Sequence, residues 1–186
     1  MTFERAIIVW MRLWPFFCFL TVAAMKKIRV LGIDPGLANT GFGIVDSCGG
    51  KMRMVSYGVI ETASSEDHST RLLAIYNRLL AVIDEFRPDE AEMEALYFAR
   101  NTSSALAVAE AKGVITLCLA QQAIPLTMYS PNQIKTAVTG TSSADKETVE
   151  LYVKLLLSLK TEPKPDHAAD ALAGAITHIH SRQFQM

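Results

Sequence analysis

Ile28-Arg29-Val30-Leu31-Gly32-Ile33-Asp34-Pro35-Gly36 is a short apolar run that ends on a carboxylate and a turn. Its length and its Pro-Gly stop make it a buried strand feeding a tight connection. Thr40-Gly41-Phe42-Gly43-Ile44-Val45-Asp46 continues as a second, glycine-bearing strand. Ser47-Cys48-Gly49-Gly50-Lys51 is a hairpin-type turn, and Met52 to Glu61 alternates as a third strand. The chain therefore opens as an antiparallel meander.

Working outward, Ser69 to Phe86 places Leu72, Tyr76, Leu79, Leu80 and Ile83 on one helical face, and Arg87-Pro88 stops it. Glu90 to Ala95 is a short fourth strand. Asn101 to Gln122 is a long Ala-rich helix whose small residues allow close packing or a dimer face. Ile124 to Tyr129 is a fifth strand. Ser130-Pro131 is an N-cap followed by proline at the first helical position. Ser142 or Ser143 is expected to cap the next helix, running to about Leu159. Thr161 to Pro165 is a linker, and Asp166 is expected to cap a last helix through about His180. The order βββ-α-β-α-β-α-α-α predicts an α/β fold. Its mixed five-stranded sheet has three antiparallel strands first, a parallel remainder, and helices on both faces.

Four metal-type ligands fall at the ends of these elements. Asp34 closes strand one, Glu94 closes strand four, and His167 and Asp170 stand three apart at the start of the last helix. Sites in such sheets form at the carboxyl ends of strands near a switch in strand order. Residues i and i+3 share a helix face, so both can point at one centre. Carboxylates with open positions suit Mg²⁺, and two ions about 4 Å apart serve phosphodiester hydrolysis. Each ligand also has a plainer reading. Asp34-Pro35-Gly36 is a common turn, and Glu90, Glu92 and Glu94 alternate as one solvated strand face would. His167 is equally a partnerless first-turn residue. Asp170, in the apolar Ala168 to Ala175 stretch, is harder to dismiss, because an unpaired charge there is costly.

The 186 residues suit one domain, and a 50% hydrophobic content supports a core. A net charge of −1 argues mildly against a nucleic-acid binder unless local lysines set the field. Cys18, Cys48 and Cys118 form no CxxC and are read as reduced thiols. Ala6 to Ala24 is nearly all apolar, interrupted by Arg12 and Pro15, with Val22-Ala23-Ala24 resembling a cleavage site. A signal peptide and a poor membrane anchor are possible readings. The favoured one is a misassigned start at residues 1–24, with a single folded domain over 25–186 and no membrane role.

The ordered segments resemble the RuvC family of Holliday-junction resolvases over nearly all of Ile28 to Arg182. They include Gly32-Ile33-Asp34-Pro35-Gly36, Glu94-Ala95-Leu96-Tyr97-Phe98-Ala99-Arg100-Asn101, Ala137-Val138-Thr139-Gly140 and His167-Ala168-Ala169-Asp170-Ala171-Leu172-Ala173. The resemblance implies an RNase H-like fold and a cytoplasmic, homodimeric, Mg²⁺-dependent endonuclease (two ions per site, Mn²⁺ as substitute). Such enzymes cut four-way junction DNA in recombination and repair, with the RuvA–RuvB motor as partner. By position, Asp34, Glu94, His167 and Asp170 resemble the catalytic metal ligands, and Glu94 is selected over Glu92. Tyr97 resembles a base-stacking aromatic. Lys135 and Lys146 resemble phosphate-facing positions, with Arg100 a further candidate. His167 stands where some members have aspartate. Ser142 replaces a usual glycine, Thr148 a common glutamine, and the apolar extension is not a family feature. Two other classes stand beside this one. A nucleotide-binding ATPase of the actin and sugar-kinase type shares the strand and Asp-x-Gly opening but needs a second domain. A silent junction-binding protein would not need all four ligands.

Overall fold

Alternation along the first strand, β1 (Ile28–Asp34), sets the layering. Val30 and Gly32 face one side of the sheet, and Leu31 and Ile33 the other. The computed structural model describes residues 27–95 and 102–183. β2 (Asn39–Cys48) and β3 (Lys51–Glu61) complete an antiparallel meander, turning at Gly49 and Gly50, whose φ values are +61° and +75°. Helix α1 (His68–Phe86) leads to β4 (Glu90–Glu94), and α2 (Thr102–Gln121) leads to β5 (Leu126–Tyr129). Helices α3 (Pro131–Thr139), α4 (Lys146–Leu156) and α5 (Asp166–Gln183) follow. The strand order is β3-β2-β1-β4-β5, with β1, β4 and β5 parallel. This is the mixed five-stranded sheet that the element order predicts.

Two apolar cores sandwich the sheet. Val30 and Val45 pack with Val153 of α4 and with Leu172 and Ile176 of α5. On the other face, Leu31, Ile33, Ile44 and Met93 pack with Leu79 of α1 and Ile115 of α2. Helices therefore cover both faces. Among the described residues, no helix is long and apolar enough to cross a membrane. Residues 1–24 lie outside the described part.

Local expectations need three corrections. α1 buries Ile75 with Leu79 and Ile83, while Leu72, Tyr76 and Leu80 are half-buried. The cap of α4 is Asp145, whose carboxylate accepts from the Thr148 N–H at 2.8 Å, not Ser142 or Ser143. Ser143 is held in the loop, its hydroxyl 3.0 Å from that of Thr141, and the charged Asp145 suits the positive helix end better. The glutamates of β4 are not a solvated face, since Glu92 is 1% exposed.

Candidate active site

β1 and β4 are parallel neighbours with Ile33 opposite Met93. Asp34 and Glu94, one residue further along each, close the two strands side by side. The period of two turns both side chains toward the face that α5 covers. α5 reaches them because glycines let it lie close on the sheet. A Cβ on Gly41 would sit 2.0 Å from the His167 carbonyl oxygen, and one on Gly32 would sit 1.9 Å from that of Ala171. The first two turns of α5 thus bring His167 and Asp170 to the strand ends. The imidazole Nδ1–H of His167 donates to Asp34 Oδ2 at 2.7 Å. Lys146, the first residue of α4, donates to Asp170 Oδ2 at 3.3 Å and pairs with Asp166 at 3.1 Å.

Crowded, half-buried carboxylates hold protons more tightly than exposed ones. Burial raises the Asp34 carboxyl, and the charge of Asp170 adds to this, against the bond from His167. Burial also raises Asp170, opposed chiefly by Lys146. Glu94 is pushed up to about 7 by burial and by the charges of Asp34 and Asp170, with Lys112 opposing. The four groups sequence reasoning singled out are therefore neighbours: Asp34 and His167 are hydrogen-bonded, and Glu94 and Asp170 line one cleft. Lys135 joins them: a cleft of about 210 Å³ is lined by Glu94, Asp170, Lys135, Lys146, Ile134 and Val149, with Pro131 and Ala173. Tyr97 and Arg100 lie outside the described residues.

Three carboxylates and an imidazole form a donor set suited to a hard divalent cation, whose charge would relieve their mutual repulsion. Among the described residues, no three His, Cys, Asp or Glu groups are gathered closely enough to hold an ion as they stand. His167 donates to Asp34, and Lys146 pairs with Asp170.

Two residues of this neighbourhood escape sequence reasoning. Lys112, on α2 and 8% exposed, reaches from the opposite face of the sheet to donate to the Glu94 carbonyl oxygen. Its sequence signal is a lysine in an Ala-rich helix, which reads as surface. Glu92 is buried, and among the described residues neither carboxyl oxygen has a hydrogen bond of ordinary geometry. Burial raises it well above its ordinary value, and Glu94 and Asp34 add to that.

Strand-end carboxylates on a mixed sheet, beside a lysine-lined cleft, define an RNase H-like nuclease domain. The chain belongs to the RuvC family: the family model for the crossover junction endodeoxyribonuclease RuvC matches residues 30–178. It is 50% identical over 160 residues to the crossover junction endodeoxyribonuclease RuvC of Treponema denticola, covering 85% of this chain and 90% of that one. The RuvC of Treponema pallidum (strain Nichols) is 49% identical over 151 residues, 81% of this chain and 77% of the relative. Among solved structures, Thermus thermophilus RuvC in complex with a Holliday junction substrate superposes with a TM-score of 0.81. Its identity is 35%, over 85% of this chain and 96% of that one. The yeast mitochondrial Holliday junction resolvase Ydc2 shares the fold at a TM-score of 0.61 and 18% identity, over 84% and 81% of the two chains. Family membership displaces the nucleotide-binding ATPase reading.

Proposed function

We propose that this protein is a structure-specific endonuclease that resolves four-way DNA junctions by paired, symmetric nicks, in recombination and repair. The observation that carries the reading is the convergence of Asp34, Glu94, His167 and Asp170 beside a cleft lined by Lys135 and Lys146. The fold assembles this cluster at the switch between antiparallel and parallel strands, where α/β sheets place ligands.

Asp34, Glu94 and Asp170 are the proposed holders of divalent cations, Mg²⁺ in the cell with Mn²⁺ as substitute, and His167 is a further ligand or general base. Bound there, the cations supply a nucleophilic water at neutral pH and charge stabilisation for the leaving oxygen. Asp34 orients the His167 ring through the Nδ1 bond. Lys135 and Lys146 attract the phosphate backbone locally, which reconciles DNA binding with a net charge of −1. Tyr97 and Arg100 are proposed to contact junction bases and phosphate. The nuclease is read as one domain, residues 25–186, acting in the cytoplasm as a homodimer with the RuvA–RuvB complex as partner. Failure to co-assemble with that complex on junction DNA would remove the partner.

The test is cleavage of synthetic four-way junctions of several core sequences, with Mg²⁺ or EDTA, beside Asp34→Asn. Paired nicks that need the cation and vanish in Asp34→Asn are expected. Binding without cutting on every core would replace the nuclease by a silent junction binder, and neither binding nor cutting would reject both.

A further inference from the structure

α5 and β4 meet along a row whose steps nearly match. Four helical residues rise about 6 Å, and two strand residues advance about 6.6 Å. Asp170, Gly174 and His178, each four apart on α5, therefore come opposite Glu94, Glu92 and Glu90, each two apart on β4. At one end, Asp170 and Glu94 line the same cleft. In the middle, a Cβ on Gly174 would sit 1.8 Å from Glu92 Oε2. At the far end, His178 Nε2–H donates to Glu90 Oε2 at 2.6 Å, and Arg182, one turn on, donates to the other oxygen, Glu90 Oε1. Tyr129 on β5 closes the group, its hydroxyl donating to His178 Nδ1 at 3.1 Å.

We propose that the Glu90–His178–Arg182 cluster is a positioning device for the reaction: it fixes the register of α5 on β4, and through it the placement of Asp170 against Glu94. Its catalytic consequence rests on the nuclease reading above. Only one register satisfies the row. A slip of one residue shifts the helix by about 1.5 Å and turns it by about 100°. That slip carries Gly174 away from Glu92, brings a residue with a Cβ against the buried carboxyl, and breaks the bonds to Glu90. The far end resists such a slip because His178 is 5% exposed, so losing its acceptor leaves a buried donor unpaired. Glu90, His178 and Arg182 touch no reacting group. They act through the helix that carries His167 and Asp170.

The test pairs Glu90→Ala, which removes the acceptor, with Glu90→Gln, which keeps an acceptor of the same shape. Mn²⁺ affinity of the protein alone is measured by titration calorimetry, and single-turnover junction cleavage is measured alongside. Ile83→Val, in the core half on the opposite face, serves as a control for lost stability. Glu90→Ala is expected to weaken Mn²⁺ binding and slow cleavage by about tenfold, the loss typical when a group that orients metal ligands is removed. Junction affinity should hold, and Glu90→Gln should recover part of the loss. Should Glu90→Ala not fold, Glu90→Gln decides, with a severalfold loss in Mn²⁺ affinity expected. The proposal is overturned if the folded variants bind Mn²⁺ and cleave within twofold of the parent, or if Ile83→Val weakens Mn²⁺ binding as much. A parent protein that cuts no junction, with Mn²⁺ affinity still falling in Glu90→Ala, would reject the nuclease reading and support the register device.

Discussion

Glu94 holds its proton up to about pH 7 because it is buried beside Asp34 and Asp170, and this sets a pH dependence for cation binding. A cation needs the carboxylate, so protons compete below that value. Mg²⁺ or Mn²⁺ affinity is expected to fall about tenfold per pH unit below 7, if one proton is displaced, and to level off above it. Calorimetric titrations that are flat from pH 6 to 8 would contradict this. Lys112 opposes the rise, so Lys112→Met should move the inflection to higher pH. Glu92 carries the same sign into stability. Its folded-state value lies well above the ordinary 4.5, so above pH 4.5 the folded chain binds more protons than the unfolded one. The stability from the neutral acid is full below 4.5 and is lost as pH rises toward the folded value. Measured in EDTA, Glu92→Gln should therefore gain in melting temperature relative to the parent as pH rises from 5 to 8, and a constant difference would show Glu92 ionised throughout. The contact with Gly174 has its own expectation. Gly174→Ala is overpacked against the Glu92 carboxyl and should cost at least the roughly 1–3 kcal/mol of a core insertion, much of it recovered by adding Glu92→Ala.

Helix α3 shows how an element serves the site. The Ser130 hydroxyl accepts from the Gln133 N–H at 3.2 Å, and Gln133 Oε1 accepts from the Ser130 N–H at 2.8 Å, a complete capping box. Ser130→Ala should cost about 1 kcal/mol by chemical denaturation, and a loss below a few tenths would show the box idle. Because α3 carries Lys135 and no proposed cation ligand, Lys135→Ala should weaken junction binding and reduce its salt slope by about 1, leaving cation affinity unchanged. This cap is readable in Ser130-Pro131 because capping is local chemistry. The α4 cap is not, since Ser142, Ser143 and Asp145 all qualify by type and only the loop hydrogen bonds decide among them. The buried face of α1 is half readable for a related reason: Leu72, Ile75, Tyr76 and Leu79 are all apolar, and packing against β3 and α2 selects Ile75. Asp34 and Glu94 were legible because each ends a strand, and His167 and Asp170 because they stand three apart near the start of a helix. Lys112 and Glu92 were not. One acts across the sheet on a backbone carbonyl, and the other is buried on a central strand with Gly174 of α5 lying against its carboxyl.

At the scale of the molecule, one protomer presents one carboxylate cluster, whereas symmetric resolution of a junction requires two. The proposed homodimer would supply the second, and the face opposite the site has a surface for that contact. On α2, Leu106 and Leu117 are 63% and 55% exposed, and at eleven residues apart they share a stripe. Leu73 on the neighbouring α1 is 58% exposed. Exposed leucines on adjoining helices cost solvation in a monomer and suit an isologous dimer contact. The opposite end of the layering stays untouched, because α3, α4 and α5 pack on the other face of the sheet. Leu106→Glu with Leu117→Glu should therefore give a monomer in sedimentation equilibrium at micromolar concentration, with Mn²⁺ affinity per protomer within twofold of the parent. On a junction that monomer should make single, unpaired nicks, so that nicked junction accumulates in place of resolved duplexes. A double variant that remains dimeric would place the contact elsewhere. A monomer that still cuts both strands in one encounter would show that symmetry of the protein is not what pairs the nicks.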